Sequence, residues 1–93
     1  MTADEGLQCG FYNALHPSAD VLAKAQQMAD QLANGPTFAH AMTKKMLHRE
    51  WDMGLDEAID AEAKAQAVCM TTRDFKRAYE AFAAKRKPVF EGD

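Results

Sequence analysis

Four groups of residues carry side chains that could do chemistry. Glu62 shares a helical stripe with Leu55, Ile59 and Gln66, and a carboxylate on a semi-buried face can serve as a general acid or base. Buried charges are nearly always paired, so Glu62 is expected to bond a backbone amide or a basic neighbour and is assigned no catalytic role. His40 and His48 lie eight apart, on roughly one helical face. A zinc pair on a helix wants i, i+4 spacing, and no Cys or carboxylate completes a set with them or with His16, so no metal ligand is assigned. Cys9 and Cys69 have neither metal spacing nor a local His/Asp set to activate a thiol. They are expected to be reduced thiols, buried or half-buried. The last pair is Phe82 and Lys85, neighbours on a helix surface at i, i+3. A ring beside an ammonium suits a nucleotide, the ring packing on the base and the ammonium meeting a phosphate. Spacing alone favours a core phenylalanine beside a lysine that ends a helix.

The elements that position these residues are helical. The composition is rich in Ala, Lys, Asp and Met and poor in Val and Ile, which favours helix over sheet. Residues 2–9 resemble the end of a helix, with Gly10 as its C-terminal glycine. Phe11–Leu15 is a short apolar run that suits a strand, although no second strand is in sight to pair with it. Ser18 or Asp20 can cap a helix whose stripe is Val21, Leu22, Ala25, Met28, Ala29 and Leu32, closed by Asn34-Gly35-Pro36 with Asn or Gly in the left-handed position. Pro36 suits the first position of the next helix, expected to run to about Met53 with Gly54 as its stop. Phe38, Met42, Lys45, Met46 and Arg49 share its face.

A further helix is expected over Leu55–Met70, with Asp56, Glu57 and Asp60 favouring its positive end and Leu55, Ala58, Ile59, Glu62, Ala65 and Gln66 as its semi-apolar face. Thr71 and Asp74 suggest a capping box for the last helix. Phe75, Tyr79, Phe82 and Arg86 follow at i, i+4, i+7, i+11, so the three aromatics share one face. Lys85, Arg86 and Lys87 crowd its last turn, Pro88 marks the stop near Arg86, and Val89-Phe90 forms an apolar hook that must pack on something. The fold class expected is all-α, with about four helices after a truncated start. The six methionines belong to core faces, or to surface meant for a partner subunit.

Ninety-three residues allow one domain with a thin core. The net charge is −3 and the pI about 5.5, so no global field draws the chain to nucleic acid or acidic lipid; Lys85–Lys87 is only a local cluster. No apolar run reaches the roughly 20 residues of a membrane span, and the acidic Met1–Glu5 is not expected to act as a signal peptide. Neither nucleic acid nor membrane is expected as a partner, and the expected location is the cytoplasm.

Ala81-Phe82-Ala83-Ala84-Lys85-Arg86-Lys87-Pro88-Val89-Phe90, read with Thr72-Arg73-Asp74-Phe75, resembles the C-terminal end of the crotonase (enoyl-CoA hydratase/isomerase) family, whose chains often end in a threonine-capped helix running into A-F-x-x-K-R-x-P-x-F. Gly10-Phe11-Tyr12-Asn13, Gly35-Pro36 followed by Thr43-Lys44, and Leu55-Asp56-Glu57-Ala58 with Glu62 beyond fit the same family in the same order. The resemblance spans the chain but only the tail of the family's length. It implies residues 1–17 as a remnant of the end of the core domain and 18–93 as the C-terminal helical, oligomerisation domain. It implies a parent enzyme acting on acyl-CoA thioesters, hydration of a 2-enoyl-CoA foremost, with trimer-type subunit contacts and no tightly bound cofactor; coenzyme A enters as the thioester substrate.

The residues matching the family's nucleotide contacts are Phe82 and Lys85, which in such hydratases touch the adenine and 3′-phosphate of a neighbouring subunit's coenzyme A. The glycine-rich turns that build the family's oxyanion hole lie earlier in its sequences, so no catalytic residue is assigned. The chain alone is expected to be inactive and to self-associate. Arg77-Ala78-Tyr79 departs from the family's frequent Glu-Gly-Val and reverses a charge. The alternative function is a stand-alone helical module binding acyl-CoA or another protein.

Overall fold

The computed structural model describes residues 1–93, which form five helices and no strand. They are α1 (Ala3–Gln8), α2 (Val21–Ala33), α3 (Thr37–Glu50), α4 (Leu55–Met70) and α5 (Arg73–Ala83). The chain divides into two compact units, Met1–Asp30 and Gln31–Asp93.

In the first unit α1 has a complete capping box. The Thr2 hydroxyl accepts from the Glu5 N–H, and the Glu5 carboxylate accepts from the Thr2 N–H, satisfying donors a helix start leaves bare. Gly10 takes φ +76° and turns the chain. The Phe11 and Tyr12 N–H groups then both donate to the Gly6 carbonyl. The Tyr12 ring lies so close over Gly6 that a Cβ there would stand 2.5 Å from it. This fold-back takes Phe11 and Tyr12 out of the expected Phe11–Leu15 strand, and no other strand is present for the run to pair with. Asp20 sits in a turn, its N–H donating to the Pro17 carbonyl, and α2 begins at Val21.

In the second unit α3 packs on α4 and α4 on α5. Pro36 is the residue before α3, not its first (φ −75°, ψ 81°), and its carbonyl accepts from the His40 N–H. Neither Asn34 nor Gly35 has a positive φ, so the expected left-handed closure of α2 is absent. Gly35 instead makes room for His40, whose Cε1 would lie 2.6 Å from a Cβ at that position.

Helix α3 stops at Glu50, three residues before the expected end, and Gly54 is the extended N-cap of α4 (φ −71°, ψ 165°) rather than a helix stop. The face α4 keeps from solvent is Ala58, Ala61, Ala65 and Cys69. Leu55 and Ile59, expected on that face, are 77% and 59% exposed; the alanine row is the one that allows close helix approach. Met46 is the buried methionine, with Met42 and Met53 half-buried beside it in the α3–α4 groove. No helix is long and apolar enough to cross a membrane.

Candidate nucleotide-binding turn and its clamp

Helix α5 organises the candidate site. Its cap is Thr72, one residue later than the sequence suggested: the Thr72 hydroxyl accepts from the Phe75 N–H at 3.2 Å. Thr71 spends its hydroxyl on the Val68 carbonyl at the end of α4. This shift moves Asp74 from the capping-box position to the second helical position and frees its carboxylate for other work.

The inward face of α5 is Asp74, Arg77, Ala78 and Ala81, at i, i+3, i+4, i+7. Asp74 is 2% exposed and Ala81 fully buried. Of the aromatic face, Tyr79 and Phe82 stand out from the packed side at 67% and 84% exposure, while Phe75, at 44%, borders the hollow that holds Phe90. Within these 93 residues Phe82 does not take the core place that spacing alone favours.

Helix α5 ends at Ala83, short of Arg86. The Lys85 N–H donates to the Phe82 carbonyl (3.0 Å) and the Arg86 N–H reaches back to Ala81 (2.9 Å). These two bonds are the Schellman closure, which places the residue after the C-cap in the left-handed region. Glycine normally fills that place; here it is Lys85, at φ +53°. A non-glycine residue pays about 1–2 kcal/mol there. Strain of this kind, held by its surroundings, is concentrated at functional sites. Thus one turn presents an exposed ring at Phe82 and an exposed ammonium at Lys85.

The chain beyond this turn is fastened. Phe90 is half-buried in an apolar hollow of about 180 Å³ with Pro36, Phe38, Ala39, Cys69, Phe75 and Ala78. It is the part of the expected hook that packs; Val89 stays exposed. The Asp74 carboxylate accepts from the N–H groups of Glu91 (2.9 Å) and Gly92 (2.8 Å) and from the Arg77 guanidinium (2.7 Å). The Asp74 N–H donates to the Asp93 carbonyl at 2.7 Å. Arg77 also bonds the carboxylates of Glu91 (2.7 Å) and Asp93, and Arg73 pairs with Asp93.

Burial pushes the Asp74 pKa up, but the two backbone donors and Arg77 outweigh it, and Asp74 stays below its ordinary value. Hydrogen bonds to Asp93 and Asp74 hold Arg77 in its charged form. The reversed charge at Arg77 is thus explained by the acids at 91 and 93. The signal lay in the sequence, but only the fold brings positions 14 to 16 residues apart together.

The other candidates lie elsewhere. Glu62 is exposed, and its partner is neither an amide nor a base but Glu50, at the end of α3. A hydrogen bond with Glu62, then burial, then the negative charge of Glu62 raise the Glu50 pKa, and Glu50 Oε1 is sealed from solvent without a hydrogen-bond partner. His40 and His48 line a hollow with Leu32, Thr43, Lys44 and Leu47. Both cysteines are free; Cys69 is half-buried as expected, whereas Cys9 is exposed.

The sequence profile of the enoyl-CoA hydratase/isomerase family matches residues 1–93. Among curated relatives, the short-chain-enoyl-CoA hydratase of Clostridium acetobutylicum is 29% identical over 85 residues, 91% of this chain and 33% of its own. The 1,2-epoxyphenylacetyl-CoA isomerase of Escherichia coli is 35% identical over 92 residues, 99% of this chain and 35% of its own. The crystal structure of an enoyl-CoA hydratase from Geobacillus kaustophilus superposes with a TM-score of 0.93 at 30% identity, over all of this chain and 35% of that one. The all-helical class is therefore that of a segment of the crotonase fold. The chain belongs to the enoyl-CoA hydratase/isomerase family and spans about a third of the length of these relatives.

Proposed function

We propose that this chain is the helical C-terminal part of an enzyme that acts on acyl-CoA thioesters, hydration of a 2-enoyl-CoA foremost. Residues 18–93 form the helical domain in this reading, and 1–17 the end of the domain before it. Phe82 and Lys85 receive the nucleotide end of coenzyme A, the ring against adenine and the ammonium at the 3′-phosphate. Family membership over all 93 residues supports the substrate class. The single observation that carries the site is the turn itself, with Phe82 84% exposed and a lysine in the left-handed position that glycine normally fills. A contact of this kind tunes affinity by about 0.2–1 kcal/mol and leaves the bond-making steps to groups outside residues 1–93. The thioester enters as substrate and no tightly held cofactor is invoked.

The exposed apolar side chains of α2 and α5, Leu22, Met28, Leu32, Tyr79 and Phe82 among them, support subunit contacts in the same reading. Two experiments test it. The protein as expressed from its own gene is assayed with crotonyl-CoA and a panel of other acyl-CoA thioesters, beside the 93-residue chain alone. Turnover by the former and none by the latter is expected; a protein that converts no acyl-CoA refutes the activity, and turnover by the chain alone refutes its role as a non-catalytic part. Light scattering of the chain is expected to show self-association, and a monomer at high concentration removes the subunit-contact reading.

A further inference from the structure

We infer that Asp74 and Arg77 are positioning residues for Lys85, acting through the segment Phe90–Asp93; the inference rests on the nucleotide reading of the Phe82–Lys85 turn given above. Lys85 occupies a conformation that a lysine does not choose by itself (φ +53°), so something must hold it there. One restraint is local: the Lys85 and Arg86 N–H groups bond back to Phe82 and Ala81. The other comes from the far side of the turn. Only Arg86, Lys87, Pro88 and Val89 separate Lys85 from Phe90, which is seated among Pro36, Phe38, Phe75 and Ala78. Pro88 removes a backbone freedom from this tether.

Directly beyond, Asp74 takes the N–H groups of both Glu91 and Gly92, and Arg77 ties Asp74, Glu91 and Asp93 together. The turn is thus a short span fixed at both ends: by α5 on one side, and on the other by a clamp whose two principal residues stand on the same helix, one turn apart. Loosening the clamp frees the span to leave the left-handed arrangement. A binding conformer populated only in part weakens binding by that fraction. Neither Asp74 nor Arg77 needs to touch the nucleotide. Their side chains are turned to the tail, and that of Asp74 is 3% exposed.

The test compares Asp74→Asn, Arg77→Gln and Lys85→Ala in the protein as expressed from its own gene, by two readouts. The first is amide hydrogen exchange at Lys85 and Arg86. The second is the ratio of affinities for coenzyme A and 3′-dephospho-coenzyme A, which isolates the 3′-phosphate contact. The intact protein is expected to prefer coenzyme A about fivefold, the size of one partly exposed charge contact. Lys85→Ala abolishes the preference. Arg77→Gln and Asp74→Asn speed exchange at both amides and lower the preference to about twofold or less, and neither lowers it further once Lys85 is alanine.

Faster unfolding without these changes is what a purely structural clamp would give, and overturns the inference. Unchanged exchange at Lys85 and Arg86 in both variants overturns the coupling itself, whatever the nucleotide data show. Faster exchange in the variants, with no 3′-phosphate preference in the intact protein, refutes the nucleotide reading and with it the positioning role, while leaving the coupling demonstrated. Should Asp74→Asn fail to fold, Arg77→Gln carries the comparison, since it keeps both backbone bonds of Asp74.

Discussion

The Asp74 carboxylate lies 2.8 Å from the Gly92 N–H, 18 residues away along the chain, and so joins the start of α5 to a segment that follows its end. Aspartate near a helix start ordinarily serves its own helix through the dipole. Here Thr72 does the capping, and Asp74 is spent on the tail, with Arg77 neutralising it at 2.7 Å. Whatever disturbs Asp74 acts on the tail and on the turn between.

Acid is expected to open this arrangement. Asp74 is held below its ordinary pKa in the folded chain, so its contribution is fully present above the unfolded carboxylate value of about 4 and is lost as pH falls through the lower folded value. Thermal unfolding followed by circular dichroism from pH 7 to pH 2 should show a falling midpoint below about pH 4. Asp74→Asn should flatten that fall. An unaltered acid limb in the variant would show that Asp74 is not its source.

Glu50 has the opposite sign. Its folded pKa is raised, first by the hydrogen bond with Glu62, then by burial, so its favourable state exists below the ordinary carboxylate range and is lost as pH rises through the raised value. Glu50→Gln keeps the shape and removes one of two facing negative charges. It should raise the midpoint at pH 7 and leave it nearly unchanged at pH 3. A drop at pH 7 would mean that the charge on Glu50 is itself needed.

Replacing Lys85 by glycine relieves the left-handed strain and should stabilise the chain by about 1 kcal/mol, which for a chain of this size is about 4–8 °C in the midpoint. The same change should remove the preference for the 3′-phosphate. Stability gained where binding is lost is the expected trade at a strained binding position. A Lys85→Gly variant that is less stable would show that the side chain holds the turn.

Two glycines separate strain from crowding. Gly10 (φ +76°) has nothing within 4 Å of a would-be Cβ, whereas at Gly92 (φ +83°) that atom would meet Thr37 Oγ1 at 2.8 Å. Gly10→Ala should cost about 1 kcal/mol, the left-handed penalty alone. Gly92→Ala should cost more, because the Thr37 side chain or the tail must also move. Equal losses in urea titration would argue against the close packing of the tail.

The two adjacent threonines offer a direct check on the cap. Thr72→Ala should cost about 1 kcal/mol. Thr71→Ala should cost well under that, since the Thr71 hydroxyl bonds only the Val68 carbonyl. The reverse order would restore the cap to Thr71.

Local rules made much of this legible. Helix α4 has the bounds its pattern predicts, Leu55–Met70, because the acids at its start act within one turn. Helix α2 follows from its apolar stripe and the Asn34-Gly35-Pro36 break. The Phe82–Lys85 pair could be singled out from spacing and family resemblance. What the sequence could not decide is which of two helical faces turns inward. The alanine row of α4 and the Asp74–Ala81 row of α5 face in, leaving Leu55, Ile59 and the aromatic face of α5 exposed. Nor could it place Lys85 in the left-handed region, bring Glu50 against Glu62, or bind Asp74 and Arg77 to residues 91–93. Periodicity and capping act between residues a few positions apart, whereas the Glu50–Glu62 contact and those of Asp74 and Arg77 with the tail join residues 12 to 19 apart, and only the packing of α3, α4 and α5 with the returning tail brings such residues within a hydrogen bond of one another.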